Sequence, residues 1–161
     1  SRLSDYIDEH GGVAGYPAGE AVDSATYFGA ECDIFIPAAL EMQITAETAP
    51  LLRCKVVAEG ANGPTDLDGE RILAEKGIDV LPDILANAGG VTVSYFEWLQ
   101  NRRAEAWNLD EVDTKLHRMM VSAYRTMRRL AVEHRIDNRT AAYVHGLSRI
   151  QEVYRERGIF P

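Results

Sequence analysis

The chain holds 161 residues, 46% apolar and 26% charged, an ordinary globular composition that excludes wholesale disorder. No apolar run reaches the roughly 18 residues of a membrane-spanning helix. The net charge of −8 is uneven: residues 1–101 carry 5 Lys+Arg against 17 Asp+Glu, and residues 102–161 carry 12 against 8, so the acidic front argues against unaided nucleic-acid binding.

In chain order, Leu3–His10 reads as a helix stopped by Gly11-Gly12, and Val13–Tyr16 as a weak edge strand. Cys32–Ile36 (C-D-I-F-I), closed by Pro37, reads as a strand, and a short helical turn follows over Thr45–Leu51. Lys55–Ala58 (K-V-V-A), closed by Gly60, and Ile78–Leu81 (I-D-V-L), closed by Pro82, are two further strands. Between them Leu67–Lys76 is helical, with Gly77 placed to end it. Strands alternating with helical segments pair in parallel through right-handed crossovers, which predicts an α/β sheet.

From Gly89 the pattern turns helical. Val91–Trp107 reads as one helix. Leu109, Val112, Leu116, Met119, Met120, Ala123, Met127 and Leu130 then recur at three- and four-residue spacing, an amphipathic stripe. Asn108 and Glu111 have the spacing of a capping pair at its start, and the methionines suit adaptable core packing. A last helix, Arg139–Arg157, sets Tyr143, Leu147, Ile150 and Tyr154 on one side, with Gly158 at its end. Residues 1–101 are therefore expected to form an α/β unit and residues 102–161 a helical segment. The basic charges of the latter read as a solvated helix face.

Cys32 and Cys54 both adjoin apolar runs and read as reduced, packed thiols. His10, His117, His134 and His145 show neither His-x-x-x-His nor Cys-x-x-Cys spacing, so no metal site is expected.

Ligands of an open parallel sheet sit outside the carboxyl ends of its strands. The residues there are Pro37-Ala38-Ala39-Leu40, Glu59-Gly60-Ala61-Asn62-Gly63-Pro64-Thr65 and Pro82-Asp83-Ile84-Leu85-Ala86-Asn87-Ala88-Gly89-Gly90. Small residues let a ligand approach the backbone, and Asn62 and Asn87 each offer a donor and an acceptor suited to a carboxamide or ribose hydroxyl. As turn formers they have an equal claim. Gly89-Gly90 opening a helix suits an anion or dipole, or else a close helix–strand contact. Ser94, one turn in, has the reach for a carboxylate, though a mid-helix Ser commonly bonds back to its own helix. Neither G-x-G-x-x-G nor G-x-x-x-x-G-K-[ST] occurs. Gly60-Ala61-Asn62-Gly63 has the form of the nucleic-acid-binding G-x-x-G loop, which the acidic front opposes.

Cys32–Leu40 (C-D-I-F-I-P-A-A-L), Val57–Thr65 (V-A-E-G-A-N-G-P-T) and Pro82–Trp98 (P-D-I-L-A-N-A-G-G-V-T-V-S-Y-F-E-W) closely resemble the cofactor-binding domain of the glutamate/leucine/phenylalanine/valine dehydrogenase family. The likeness continues through Arg139–Val144 (R-T-A-A-Y-V). E-G-A-N-G-P-T and V-S-Y-F-E-W favour its glutamate branch. The resemblance implies a partial Rossmann-like parallel sheet, the second half of a dinucleotide-binding domain, followed by C-terminal helices. It implies NAD- or NADP-dependent oxidative deamination of L-glutamate to 2-oxoglutarate and ammonia, by a cytoplasmic homo-oligomer, hexameric by family. Ala38, Ala39, Asn62 and Asn87 would line the nicotinamide–ribose end of the cofactor. Val91 and Ser94 would lie beside the substrate, with Ser94 donating to its side-chain carboxylate.

The family's catalytic lysine and aspartate, and its glycine-rich pyrophosphate loop, match nothing here. The chain is thus expected to be the C-terminal portion of a longer enzyme, with Ser1 internal to it, no catalytic residue of its own and no activity alone. Its partners would be small molecules, neither nucleic acid nor membrane. The competing expectation is an inactive remnant that serves as a binding or assembly module.

Overall fold

Three short parallel strands order the first half of the chain in the computed structural model, which describes residues 2–158. β1 (Ile34–Phe35), β2 (Val56–Ala58) and β3 (Asp79–Leu81) pair in the order β1-β2-β3, with Ile34 opposite Val56 and Val57 opposite Val80. Each strand falls within its apolar run, and a single parallel bridge between Glu31 and Arg53 extends the first pairing upstream. The expected α/β sheet is present.

The crossover between β2 and β3 is α3 (Leu67–Glu75). Asp66 caps its start, accepting from the Gly69 amide at 2.6 Å, and Gly77, at φ +70°, follows its end. A Cβ on Gly69 would lie 2.5 Å from the Ile44 carbonyl oxygen, so only glycine lets α3 seat this closely. At the other end Lys76 donates through Nζ to the carbonyls of Pro50 and Leu52, at 2.6 and 2.7 Å. Those bonds tie α3 to the 3-10 turn Ala49–Leu51, where the sequence placed a helical turn. Phe28, Phe35, Ile44, Ala49, Leu52, Val57, Leu73 and Ile78 form the core between these elements.

Before the sheet come α1 (Arg2–His10) and α2 (Ser24–Phe28). The sequence does not signal α2, which has only five residues and no period of its own, yet it delivers Phe28 to the core. The edge strand expected over Val13–Tyr16 is absent. Gly15 takes φ +79° and the Tyr16 amide donates to the Val13 carbonyl, so the segment turns back on itself.

After β3 come α4 (Asp83–Ala86), α5 (Gly89–Arg103), α6 (Leu109–His134) and α7 (Asn138–Arg157). α5 starts two residues earlier than Val91 and stops before Trp107, because Ala104 takes a left-handed φ of 51°. The chain folds back there: the Trp107 amide donates to Gln100 Oε1, and its ring meets Phe96 edge-on at 5.7 Å. α6 begins with the expected capping box, Asn108 and Glu111 each accepting from the other's backbone amide. Leu85, Met127, Ala131 and Ala141 make a second, smaller core where α4, α6 and α7 meet. Tyr143, Leu147, Ile150 and Tyr154 remain exposed along α7.

Cys32 and Cys54 are both free thiols, Cys32 exposed and Cys54 half-buried, and burial pushes the Cys54 thiol up from its ordinary value. Among the described residues no helix is long and apolar enough to cross a membrane, and none of their His, Cys, Asp and Glu side chains cluster to hold a metal ion.

Candidate functional site

Because the strands run parallel, the loops that leave their carboxyl ends gather on one side of the sheet. The β1 and β2 loops touch. The Ala61 amide donates to the Pro37 carbonyl at 2.8 Å, and a Cβ on Gly60 would sit 3.1 Å from that of Ala38. A side chain at position 60 would push the β1 loop away.

The β2 and β3 loops meet through their asparagines. Asn87 Nδ2 donates to Asn62 Oδ1 at 2.7 Å and to the Gly60 carbonyl at 3.3 Å. Among the described residues, Asn62 Nδ2 and Asn87 Oδ1 have no protein partner. The pair thus keeps one donor group and one acceptor in reserve, the complement of a primary carboxamide or a sugar diol. Asn62 and Asn87, with Ala39, Glu41, Gly60 and Ala61, line an open cleft of about 490 Å³.

Behind the cleft lies a cluster of charges in which one guanidinium serves three carboxylates. Asp137 caps α7, accepting from the Thr140 amide at 2.8 Å, and this sets Arg139 in the first turn, facing the sheet. Arg139 Nη2 donates to Glu59 Oε1 and Oε2 at 2.7 and 2.8 Å, and Nη1 to Asp83 Oδ1 at 2.9 Å. Arg139 Nε donates to Glu70 of α3. Glu59 is fully buried directly after β2, where a charge is tolerated only when paired and hydrogen-bonded. Burial opposes the Arg139 charge, but the bonds and charges of Glu59 and Glu70 outweigh it and hold its pKa above the ordinary guanidinium value.

The cluster reaches the cleft through Asp83. Its amide donates to Glu59 Oε2 at 2.8 Å, and its own Oδ2 accepts from the Gly63 amide at 2.8 Å, next to Asn62. Asp83 also opens α4, whose C-cap is Asn87.

Of the residues singled out from the sequence, Ala39, Asn62 and Asn87 share the cleft, and Ala38 abuts Gly60 at its edge. Val91 and Ser94 do not line it. They stand three residues apart on α5, one helical turn, both exposed. Thr92 bonds back to the Ala88 carbonyl, whereas Ser94 makes no such bond among the described residues. A Cβ on Gly89 or Gly90 would meet open space, which removes the close-contact explanation for that pair. Glu59, Asp83 and Arg139 lie inside the family-like segments, but nothing in the sequence pattern gives them a role. The one signal present was a carboxylate placed directly after a buried strand.

The family model for glutamate/leucine/phenylalanine/valine dehydrogenases matches residues 1–158. Glutamate dehydrogenase of Thermotoga maritima is 45% identical over 160 residues, which cover 99% of this chain and 38% of that protein. The NAD-specific glutamate dehydrogenase of Clostridioides difficile is 42% identical, over 97% of this chain and 37% of its own. Among solved structures, the glutamate dehydrogenase of Peptoniphilus asaccharolyticus superposes with a TM-score of 0.74 at 41% identity, over 78% of this chain and 32% of that one. The leucine-bound hetero-hexameric glutamate dehydrogenase of Thermus thermophilus gives a TM-score of 0.89 at 26% identity, over 99% and 37%. The chain thus covers 32–38% of the length of these relatives.

Proposed function

The chain belongs to the glutamate/leucine/phenylalanine/valine dehydrogenase family, and from that premise we propose that it forms the nicotinamide side of the cofactor domain of an NAD- or NADP-dependent glutamate dehydrogenase. The reaction is the oxidative deamination of L-glutamate to 2-oxoglutarate and ammonia. Relatives named as NAD-specific glutamate dehydrogenases, 42–50% identical, support the substrate and the cofactor class. The observation that carries the reading is the Asn62–Asn87 pair, which joins the loops after two adjacent parallel strands and keeps a donor and an acceptor for a ligand.

The cleft fits the nicotinamide–ribose end of a dinucleotide. Ala38, Ala39 and Gly60 leave the backbone bare where a flat ring must approach, and the asparagine pair matches the carboxamide or the ribose diol. When bound, the dinucleotide supplies the hydride acceptor. The chain's own residues orient it, which lowers the barrier by fixing geometry rather than by moving protons. Ser94 donates to the side-chain carboxylate of glutamate, with Val91 beside it. A donor committed to a carboxylate discriminates against apolar side chains, because binding one leaves the donor unpaired.

The proton-transfer groups are assigned to the portion of the enzyme outside this chain. The placement of its three lysines supports that assignment: Lys55 pairs with Asp33 at 2.7 Å, Lys76 holds the 3-10 turn, and Lys115 stands 4.7 Å over the Trp107 ring. None lines the cleft. Assembly into a hexamer is proposed by analogy with the Thermus thermophilus relative.

The test is steady-state kinetics on the complete gene product. Glutamate-dependent reduction of NAD or NADP is expected, with Asn87→Ala raising the cofactor KM about tenfold, the cost of roughly one good hydrogen bond. Ser94→Ala is expected to weaken glutamate use more than norvaline use. Absence of turnover, or wild-type kinetics in both variants, would overturn the reading.

A further inference from the structure

Asp83 fixes the backbones of both asparagine loops. Its Oδ2 holds the Gly63 amide, which fixes the loop of Asn62, and its backbone starts the single turn of α4 that ends at Asn87. Asp83 is in turn held from behind, through its Oδ1 by Arg139 Nη1 and through its amide by Glu59 Oε2. Arg139 grips both residues with separate nitrogens, 2.7 and 2.8 Å to Glu59 and 2.9 Å to Asp83. A planar guanidinium fork is rigid in a way that an ammonium is not, and here it sets the spacing between the ends of β2 and β3.

We infer that Arg139, acting through Asp83, is a positioning residue for the cofactor cleft: it sets the Asn62–Asn87 pair in register for the dinucleotide from the first turn of a helix that does not line the cleft. The inference rests on the proposed function and adds to it a residue 56 positions from Asp83 and 80 from Glu59 in sequence. Its physical basis is that a hydrogen-bonded pair of side chains presents a carboxamide-sized gap only if both backbones are fixed. Each backbone is fixed here by the same aspartate. Lysine at position 139 would keep the positive charge beside buried Glu59 yet reach only one of the two carboxylates at a time.

The experiment compares the complete gene product with its Arg139→Lys variant. Dissociation constants for NAD and NADP are measured by titration, alongside the cofactor KM, the glutamate KM and the melting temperature. The expected result is a five- to twentyfold weaker dinucleotide affinity and a matching rise in cofactor KM. The glutamate KM should stay within twofold, and melting should shift by only a few degrees. A role confined to structure would lower the melting temperature and leave the cofactor KM where it was, and that result overturns the inference while leaving the proposed function intact. If the unsubstituted protein binds neither NAD nor NADP, the inference falls together with the proposed function. Should Arg139→Lys fail to fold, Asp83→Asn decides by the same readouts: it keeps one acceptor but cannot serve the Gly63 amide and Arg139 as a carboxylate does. An unchanged cofactor KM in that variant also overturns the inference.

Discussion

The sheet half and the helical half of the molecule are held together by different physics. Around the sheet, eight buried apolar side chains from α2, β1, β2, α3 and the segments between them make one continuous core. The helical half buries only Leu85, Met127, Ala131 and Ala141 as its own cluster, and leaves the apolar side of α7 open. What joins α7 to the sheet is largely polar. Arg139 grips Glu59, Glu70 and Asp83, while Asn138 Nδ2 donates to the Val80 carbonyl at 2.8 Å and to Asp79 at 2.9 Å. Apolar packing tolerates small slides between elements of similar volume. Forked hydrogen bonds do not, so the charged joint fixes a position where the apolar core fixes only a neighbourhood.

The sharpest way to break that joint is Arg139→Met. It leaves Glu59 buried without its cation, so a loss of about 3–5 kcal/mol is expected in urea unfolding. Adding Glu59→Gln should recover much of that loss, since the stranded charge is then gone. If the double variant is no more stable than the single, the cost lies in lost packing of the arginine stem instead.

How far this was legible in sequence follows the same division. The three strands could be read because each is a short apolar run cut off by Pro37, Gly60 or Pro82, and the α6 cap because Asn108 and Glu111 are three residues apart. Asn62 and Asn87 stood out for a topological reason: loops after parallel strands must converge. Local patterning misled over Val13–Tyr16, where Val13, Ala14 and Tyr16 beside glycines mimic a strand, but none of the described strands pairs with them. α2 and α4 went unread because five- and four-residue helices are too short for a 3.6-residue period to register. The charged joint was illegible in a deeper sense. Arg139 and Glu59 are 80 residues apart, Arg139 looks like an ordinary surface charge, and only the packing of α7 against the sheet brings the two together.

A second pair of substitutions sharpens the contrast between the halves. Leu73→Ala empties a fully buried site in the sheet core and should cost about 2–5 kcal/mol. Leu147→Ala removes the same atoms from a side chain that is 62% exposed on α7, so a change within about 0.5 kcal/mol is expected. A Leu147 cost approaching that of Leu73, in unfolding of the complete gene product, would mean that the α7 face is covered in solution. The helical half would then owe its stability to whatever covers it.

A further small effect isolates the cap that aims Arg139. Burial would raise the Asp137 pKa, but the bonds from the Thr140 hydroxyl and amide outweigh it and hold the carboxyl below its ordinary value. A depressed folded pKa means that the native state favours the ionised form. That stabilisation is complete above the unfolded value of about 3.9 and is lost as pH falls through the folded value. Asn at an N-cap serves nearly as well as Asp, so Asp137→Asn should differ from the unsubstituted protein by less than about 1 kcal/mol at neutral pH. The difference between the two should then shrink below pH 4, because only one of them has a cap to protonate. Arg139 keeps its charge throughout that range, so a pH-dependent difference between the two proteins reports on the cap rather than on the guanidinium. A difference that stays flat down to pH 2 would show that the Asp137 charge contributes nothing, and that α7 is set in place by the Arg139 and Asn138 contacts alone.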